Sequence, residues 1–203
     1  DWAGVESLKG IRTECVARVY RDETLFAESK GQVQFTQYGL SGPVIFEVSR
    51  DVGQGSGNWK CILDLLPEIS EDDLRKELFR RLETGWAAEE LLTGILHNRL
   101  GRVVARRAGV KIDRDLSAGA METMAELVKA FPVPITEPMG MDSAQVTAGG
   151  IRTEEFDPET MESRLVPGLY ACGEVLDIDG ACGGYNLQWA WSSGALAGRS
   201  AAN

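Results

Sequence analysis

The chain has 203 residues, with 21 Lys and Arg against 31 Asp and Glu, a formal net charge of −10, one His and four Cys. That charge opposes a nucleic acid backbone or an anionic membrane surface unless a local basic patch overrides it, and no apolar run approaches the roughly 20 residues that span a bilayer. The cysteines, at 15, 61, 172 and 182, show neither C-x-x-C spacing nor the density of a secreted disulfide scaffold, so reduced thiols and a cytoplasmic location are expected.

From Leu8 to Leu66, stretches rich in β-branched and aromatic residues alternate with turn residues: Thr13 to Tyr20, Gln32 to Phe35, Val44 to Val48 and Trp59 to Leu63. They predict strands of an antiparallel sheet or small barrel. Residues 1–67 are expected to form a β-barrel-like insert, completed by 132–143. Gly53-Gln-Gly-Ser-Gly57 is expected to be a flexible turn, because no helix follows to make it a nucleotide fingerprint.

A helical subdomain is expected over 68–131. Ser70 has the form of an N-cap, with acids Glu71, Asp72 and Asp73 in the first turn and Leu74, Leu78 and Leu82 at helical spacing. Leu91, Leu92, Ile95, Leu96, Leu100, Val103 and Val104 predict a second apolar helix face. Met121, Met124, Leu127, Val128 and Phe131 predict a third, ended by Pro132 and Pro134. Arg99, Arg102 and Arg106 share one helical face and, with His97 and Arg107, form the one basic cluster of an acidic chain. A solvated helix face is its plainest reading; attraction of an anionic substrate or a nicotinamide phosphate is the alternative.

Residues 144–203 carry the most informative run. Leu169, Tyr170, Ala171 and Cys172 predict a short strand that delivers Glu174 to a sheet edge, where a carboxylate can accept hydrogen bonds from ribityl or ribose hydroxyls. Gly183 and Gly184 then allow close backbone approach to a flat ligand. A helix beginning near Leu187 would direct unpaired N–H groups and its positive dipole end at that ligand. Asp157-Pro158 signals a turn. Ala190, Gly194 and Gly198 predict a flat ridge that invites close packing by a partner or a second copy, whereas Trp189 and Trp191 are expected to pack on the helix faces. Cys172 and Cys182 are expected to be small buried thiols. Hydrolase chemistry is not expected, since Ser41-Gly-Pro43 lacks the G-x-S-x-G elbow and a neighbouring base.

Three motifs in order, Phe35-Thr-Gln-Tyr-Gly-Leu-Ser-Gly-Pro43, Ala144-Gln-Val-Thr-Ala-Gly-Gly-Ile151 with Pro158 to Gly168, and Gly168 to Gly194, resemble the HI0933-like (YhiN/BaiN-like) NAD(P)/FAD-dependent oxidoreductases. The resemblance covers nearly the whole chain. It implies an α/β (α+β) fold: the barrel-like insert, a three-helix subdomain, and over 144–203 the C-terminal part of a Rossmann-type FAD-binding domain. It also implies cofactor contacts from Thr147, Gly149, Gly173, Glu174, Gly183, Gly184, Tyr185, Asn186 and Leu187, with no metal. Where the family pattern carries His, this chain has Gln37.

The family opens with a G-x-G-x-x-G element that holds the ADP half of FAD, and no such element starts this chain. The expectation is therefore a fragment whose partner is the N-terminal FAD-binding half, holding FAD weakly or not at all on its own and inactive alone. In the complete protein, the resemblance implies hydride transfer between flavin and a small-molecule substrate or NAD(P)H, with no nucleic acid or membrane partner and with apolar surface open to self-association. A non-catalytic macromolecule-interaction module remains the competing class.

Overall fold

The computed structural model describes residues 6–50, 52, 57–111 and 117–202; the expected turn at 53–57 therefore lies, apart from Gly57, outside the described residues. The chain divides into two compact units, 1–138 and 139–203. The first is built on a five-stranded antiparallel sheet in the order β3-β2-β1-β4-β5. Its strands are β1 Arg12–Arg21, β2 Thr24–Phe35, β3 Leu40–Ser41, β4 Trp59–Asp64 and β5 Phe131–Pro134. Alternation sets the faces: Cys15, Ala17 and Val19 of β1, Val33 and Phe35 of β2 and Cys61 and Leu63 of β4 are buried on one side.

The predicted strand at Val44 to Val48 is instead a helix, α1 Pro43–Ser49. Pro43 presets a helical φ at the first turn, and the buried residues Val44 and Val48 stand four apart, a helical rather than a strand spacing. Gly42 makes the entry possible. Its φ is +100°, and a Cβ there would lie 2.7 Å from the Gln32 carbonyl oxygen of β2. Upstream, the Thr36 hydroxyl accepts from the N–H groups of Tyr38 and Gly39 and donates to the Gly39 carbonyl, which tightens the turn between β2 and β3.

Helix α2, Glu71–Glu83, starts at the Ser70 cap, whose hydroxyl accepts from the Asp73 N–H, and buries Leu74 and Leu78. The second apolar face does not form one helix. A 3-10 turn at Ala88–Glu90 precedes α3, Asn98–Arg107. Gly94, at φ +77°, breaks the run between them, and Arg81 of α2 takes the Leu91 and Thr93 carbonyls at 3.0 and 2.7 Å. Helix α4, Ala118–Lys129, buries Met121, Met124 and Val128. Phe131 is not in that helix but opens β5, since a residue before proline prefers extended backbone and an edge strand tolerates Pro132 and Pro134. Lys129 then pins the helix end to the sheet, pairing with Asp64 at 2.8 Å and donating to the Leu66 and Ile69 carbonyls.

The second unit is dominated by α5, Tyr185–Ala201, 17 residues long. Leu169 to Cys172 is not a ladder strand. Tyr170 makes one antiparallel bridge to Glu162, flanked by main-chain bonds from Ser163 N–H to Leu169 O and from Ala171 N–H to Met161 O. A strand exists only through a neighbour, and among the described residues this segment has only the 161–163 turn beside it. Phe156, Met161, Leu176 and Ala197 form a small core, with Tyr170, Ala171, Trp189 and Leu196 packed against it. Among the described residues, no helix is long and apolar enough to cross a membrane.

Candidate functional site

Within the second unit, the expected cofactor residues fall into two groups. The first joins Thr147, Gly149, Gly173 and Glu174. Glu174 lies in a 3-10 turn, Gly173–Val175, rather than at a strand end. Its Oε1 accepts the Thr147 backbone N–H at 2.9 Å and, more weakly, the Thr147 hydroxyl at 3.4 Å. Just beyond, Ile151 and Leu176 form a parallel bridge, with Ile151 N–H to Val175 O at 2.8 Å and Asp177 N–H to Ile151 O at 2.9 Å. Gly150 permits this approach: a Cβ there would sit 2.7 Å from the Asp177 nitrogen and 2.8 Å from the Val175 oxygen.

The second group surrounds the start of α5. The helix begins at Tyr185, two residues before the predicted start, because Gly184 in the left-handed region (φ +98°) serves as its N-cap. Gly183 is also at positive φ, +120°, and open space surrounds a virtual Cβ on either glycine. No side chain caps the helix, so its first N–H groups keep their donor capacity. Asn186 faces back into the loop. Its Oδ1 accepts the Gly180 N–H at 2.6 Å, and its Nδ2 donates to the Gly180 carbonyl at 3.1 Å. That two-way amide contact closes the 180–186 loop and sets the glycine turn in place. Tyr185 and Leu187 are exposed, at 67% and 60%.

The groups are linked through α5. Trp189 Nε1 donates to the Gly173 carbonyl at 3.0 Å, and the Gly173 N–H donates to the Ser193 hydroxyl at 3.0 Å, so both peptide groups of the glutamate turn are held by the helix. Ser193 is 2% exposed; a serine in an apolar-looking helix was the only signal of this anchor, and sequence reasoning passed over it. The ridge is not left open as expected. A Cβ on Gly173 would lie 3.5 Å from the Ala190 Cβ, and one on Gly194 would lie 3.7 Å from the Cys172 sulfur, so only Gly198 has open space beside it. The chain thus packs its own glutamate turn on the first two ridge positions.

Two further expectations are corrected. Trp189 packs, but Trp191 points outward, 66% exposed, one turn beyond exposed Leu187. Cys172 is exposed and Cys182 partly so, whereas Cys15 and Cys61 are the buried thiols. Burial pushes the thiol pKa of both Cys15 and Cys61 up to about 12. A cavity of about 590 Å³ in the second unit is lined by Arg152, Thr153, Glu154, Glu155, Arg164, Leu165 and Asp177. It contains none of the expected cofactor residues, so the glycine turns and not this concavity define the candidate site.

The family models match in chain order. One, described as the HI0933-like protein barrel and H2TH domain, matches residues 1–146, and the other, the HI0933-like protein Rossmann domain, matches 108–200. The chain belongs to the HI0933-like family. The chain is 38% identical over 201 residues to a 3-dehydro-bile acid delta(4,6)-reductase of Clostridium scindens, covering 95% of this chain and 49% of the relative. It is 34% identical over 173 residues to a ribosomal RNA dihydrouridine synthase of Escherichia coli, covering 84% and 41%. With the Haemophilus influenzae protein of the same description the identity is 30% over 165 residues, covering 80% and 40%. The chain spans about half or less of the length of these curated relatives. As an HI0933-like chain, it has the mixed α/β architecture that the two domain descriptions name, with the curled antiparallel sheet and its helices ahead of the Rossmann segment.

Proposed function

We propose that this chain is part of a flavin-dependent oxidoreductase that adds hydride and a proton across a carbon–carbon double bond conjugated to a carbonyl. The observation that carries the reading is the pair of positive-φ glycines, Gly183 and Gly184, opening onto an uncapped 17-residue helix. Backbone N–H donors and the positive helix end suit an electron-rich ring edge that gains negative charge on reduction. The absence of a Cβ at both glycines leaves room for that edge, so the residues fit FAD. When bound, the flavin supplies the hydride chemistry.

This chain's own residues hold and orient. The α5 N–H groups would face the ring edge of a bound flavin, and the 180–186 loop, closed by Asn186 on Gly180, holds the turn that carries them. Glu174 uses one oxygen on Thr147 and keeps the other for a ribityl or ribose hydroxyl. The names of the relatives support the reaction class, since a delta(4,6)-reductase and a dihydrouridine synthase both saturate a double bond.

The test is anaerobic mixing of the whole protein with NADH and with NADPH, then with a conjugated enone. Purification with an oxidised-flavin spectrum, bleaching by one nicotinamide and recovery of colour on enone addition would support the proposal. A colourless protein that no added FAD titrates would refute it and leave the interaction-module reading in its place.

A further inference from the structure

Two side chains of α5, one helical turn apart, converge on a single residue of the loop that carries Glu174. Trp189 Nε1 donates to the Gly173 carbonyl at 3.0 Å, and the Ser193 hydroxyl accepts the Gly173 N–H at 3.0 Å. The same hydroxyl donates to the Trp189 carbonyl at 2.6 Å. A serine has one proton to give, so that bond fixes its rotor and leaves a lone pair for Gly173. Gly173 is buried, at φ +70°, and its carbonyl also takes the Leu176 N–H at 3.3 Å. Both of its main-chain polar groups are thereby used, and two of the three bonds come from α5.

Neither bond is needed to build the helix. A hydroxyl in a helix interior is neutral to unfavourable, and Ala has the better propensity there. Trp189 packs its ring against the small core of the second unit, yet its indole N–H is spent on Gly173. What the two bonds secure is a three-residue 3-10 turn, Gly173–Val175, an element with poor hydrogen-bond geometry of its own. Its central residue is Glu174, whose Oε1 accepts the Thr147 N–H at 2.9 Å. Along α5, Trp189 and Ser193 lie about 6 and 12 Å beyond the start at Tyr185. The helix is thus a rod with uncapped N–H donors at one end and a clamp on the glutamate turn part-way along.

We infer that Ser193 and Trp189 are positioning residues for the cofactor: holding Gly173 from both sides, they set where the free oxygen of Glu174 stands relative to the donors at the start of α5. Ser193, 2% exposed, acts on a ligand only through the turn it holds. The cofactor in this inference rests on the flavin reading, whereas the clamp on Glu174 does not.

The test has one arm without cofactor and one with it. In the ligand-free chain, the backbone amide resonance of Thr147 reports its bond to Glu174. Ser193→Ala, and Trp189→Phe, which keeps an aromatic ring in the core, should both move that resonance toward its position in Glu174→Ala. In the whole protein, FAD titration should show binding about fivefold weaker in Ser193→Ala and about threefold weaker in Trp189→Phe, the worth of one neutral hydrogen bond. Adding Ser193→Ala to Glu174→Ala should weaken binding by less than about twofold more, because the two act through one contact; a role confined to packing would give the same loss in both backgrounds. The midpoint potential of the bound flavin should stay at the parent value, since a bond to a ribityl or ribose hydroxyl is the same in both redox states. A Thr147 resonance unmoved by either variant, parent-like FAD affinity in Ser193→Ala, additive losses in the double variant, or a shifted potential would each overturn the inference. A parent protein that takes no FAD, with the Thr147 resonance still displaced in the variants, would sink the flavin reading and uphold the clamp on Glu174.

Discussion

The backbone N–H of Thr147 meets Oε1 of Glu174 at 2.9 Å, tying together two loops 27 residues apart in sequence. The carboxylate is thus both a structural clasp and, through its second oxygen, an acceptor facing outward. Replacing it with Ala should release the Thr147 loop and reduce flavin affinity of the whole protein by roughly tenfold, the worth of one charge-assisted hydrogen bond. Glu174→Gln keeps an acceptor for Thr147 and should lose less. Flavin titration of both variants checks the order, and equal affinity of parent and Glu174→Ala would remove Glu174 from the site.

Gly150 offers a sharper structural test, because its virtual Cβ falls 2.7 Å from two backbone atoms that cannot swing aside. Gly150→Ala should destabilise the second unit by about 1–3 kcal/mol, the range for forced overpacking. Gly149→Ala meets no atom within 4 Å and is penalised only by its φ of +96°, so it should cost about 1–2 kcal/mol. Hydrogen exchange at Ile151 and Asp177 provides the readout, with faster exchange expected in the Gly150 variant.

In the first unit, the Lys129 and Asp64 side chains are 16% and 10% exposed and 2.8 Å apart. Lys129→Met strands the Asp64 carboxylate and frees the Leu66 and Ile69 carbonyls, and should lower unfolding free energy by about 3 kcal/mol in urea denaturation. Lys129→Met combined with Asp64→Leu removes both charges together. That double variant should recover part of the loss.

The buried thiols give a pH dependence of known sign. With thiol pKa values raised to about 12 by burial, the folded state keeps protons on Cys15 and Cys61 that the unfolded chain releases near pH 9. Their stabilising contribution is complete below that pH and is lost as pH rises toward 12. Unfolding free energy should therefore fall above pH 9 by up to about 1.4 kcal/mol per pH unit for each thiol. Cys61→Val should reduce the slope. Iodoacetamide mapping at pH 8 should label exposed Cys172 first and reach Cys15 and Cys61 only after denaturation; early labelling of Cys61 would contradict its burial.

Much of the first unit was legible because its signals are local. The Ser70 cap with its acidic first turn, the alternation of Cys15, Ala17 and Val19, and the i, i+4 spacing of Leu74 and Leu78 each act within one element. Errors arose where a short apolar run fits two periods. Val44 to Val48 reads as a strand by composition, yet Gly42 and Pro43 commit it to a helix. Leu91 to Val104 reads as one helix, yet Gly94 breaks it and Arg81 claims the carbonyls that would continue it.

The residues of the glycine turns, the acidic balance and the ordered motifs were set by the sequence alone, because backbone freedom at Gly183 and Gly184, charge and motif order are properties of the chain itself. Which groups meet was decided only in three dimensions. Thr147 on Glu174, Asn186 on Gly180, Ser193 beneath Gly173 and Lys9 between Gln37 and Arg99 join residues whose proximity depends on the path of the backbone between them. No periodicity or composition encodes such a contact. A hydrogen bond is specified by a distance and an angle, and those exist only once the helices and turns have packed.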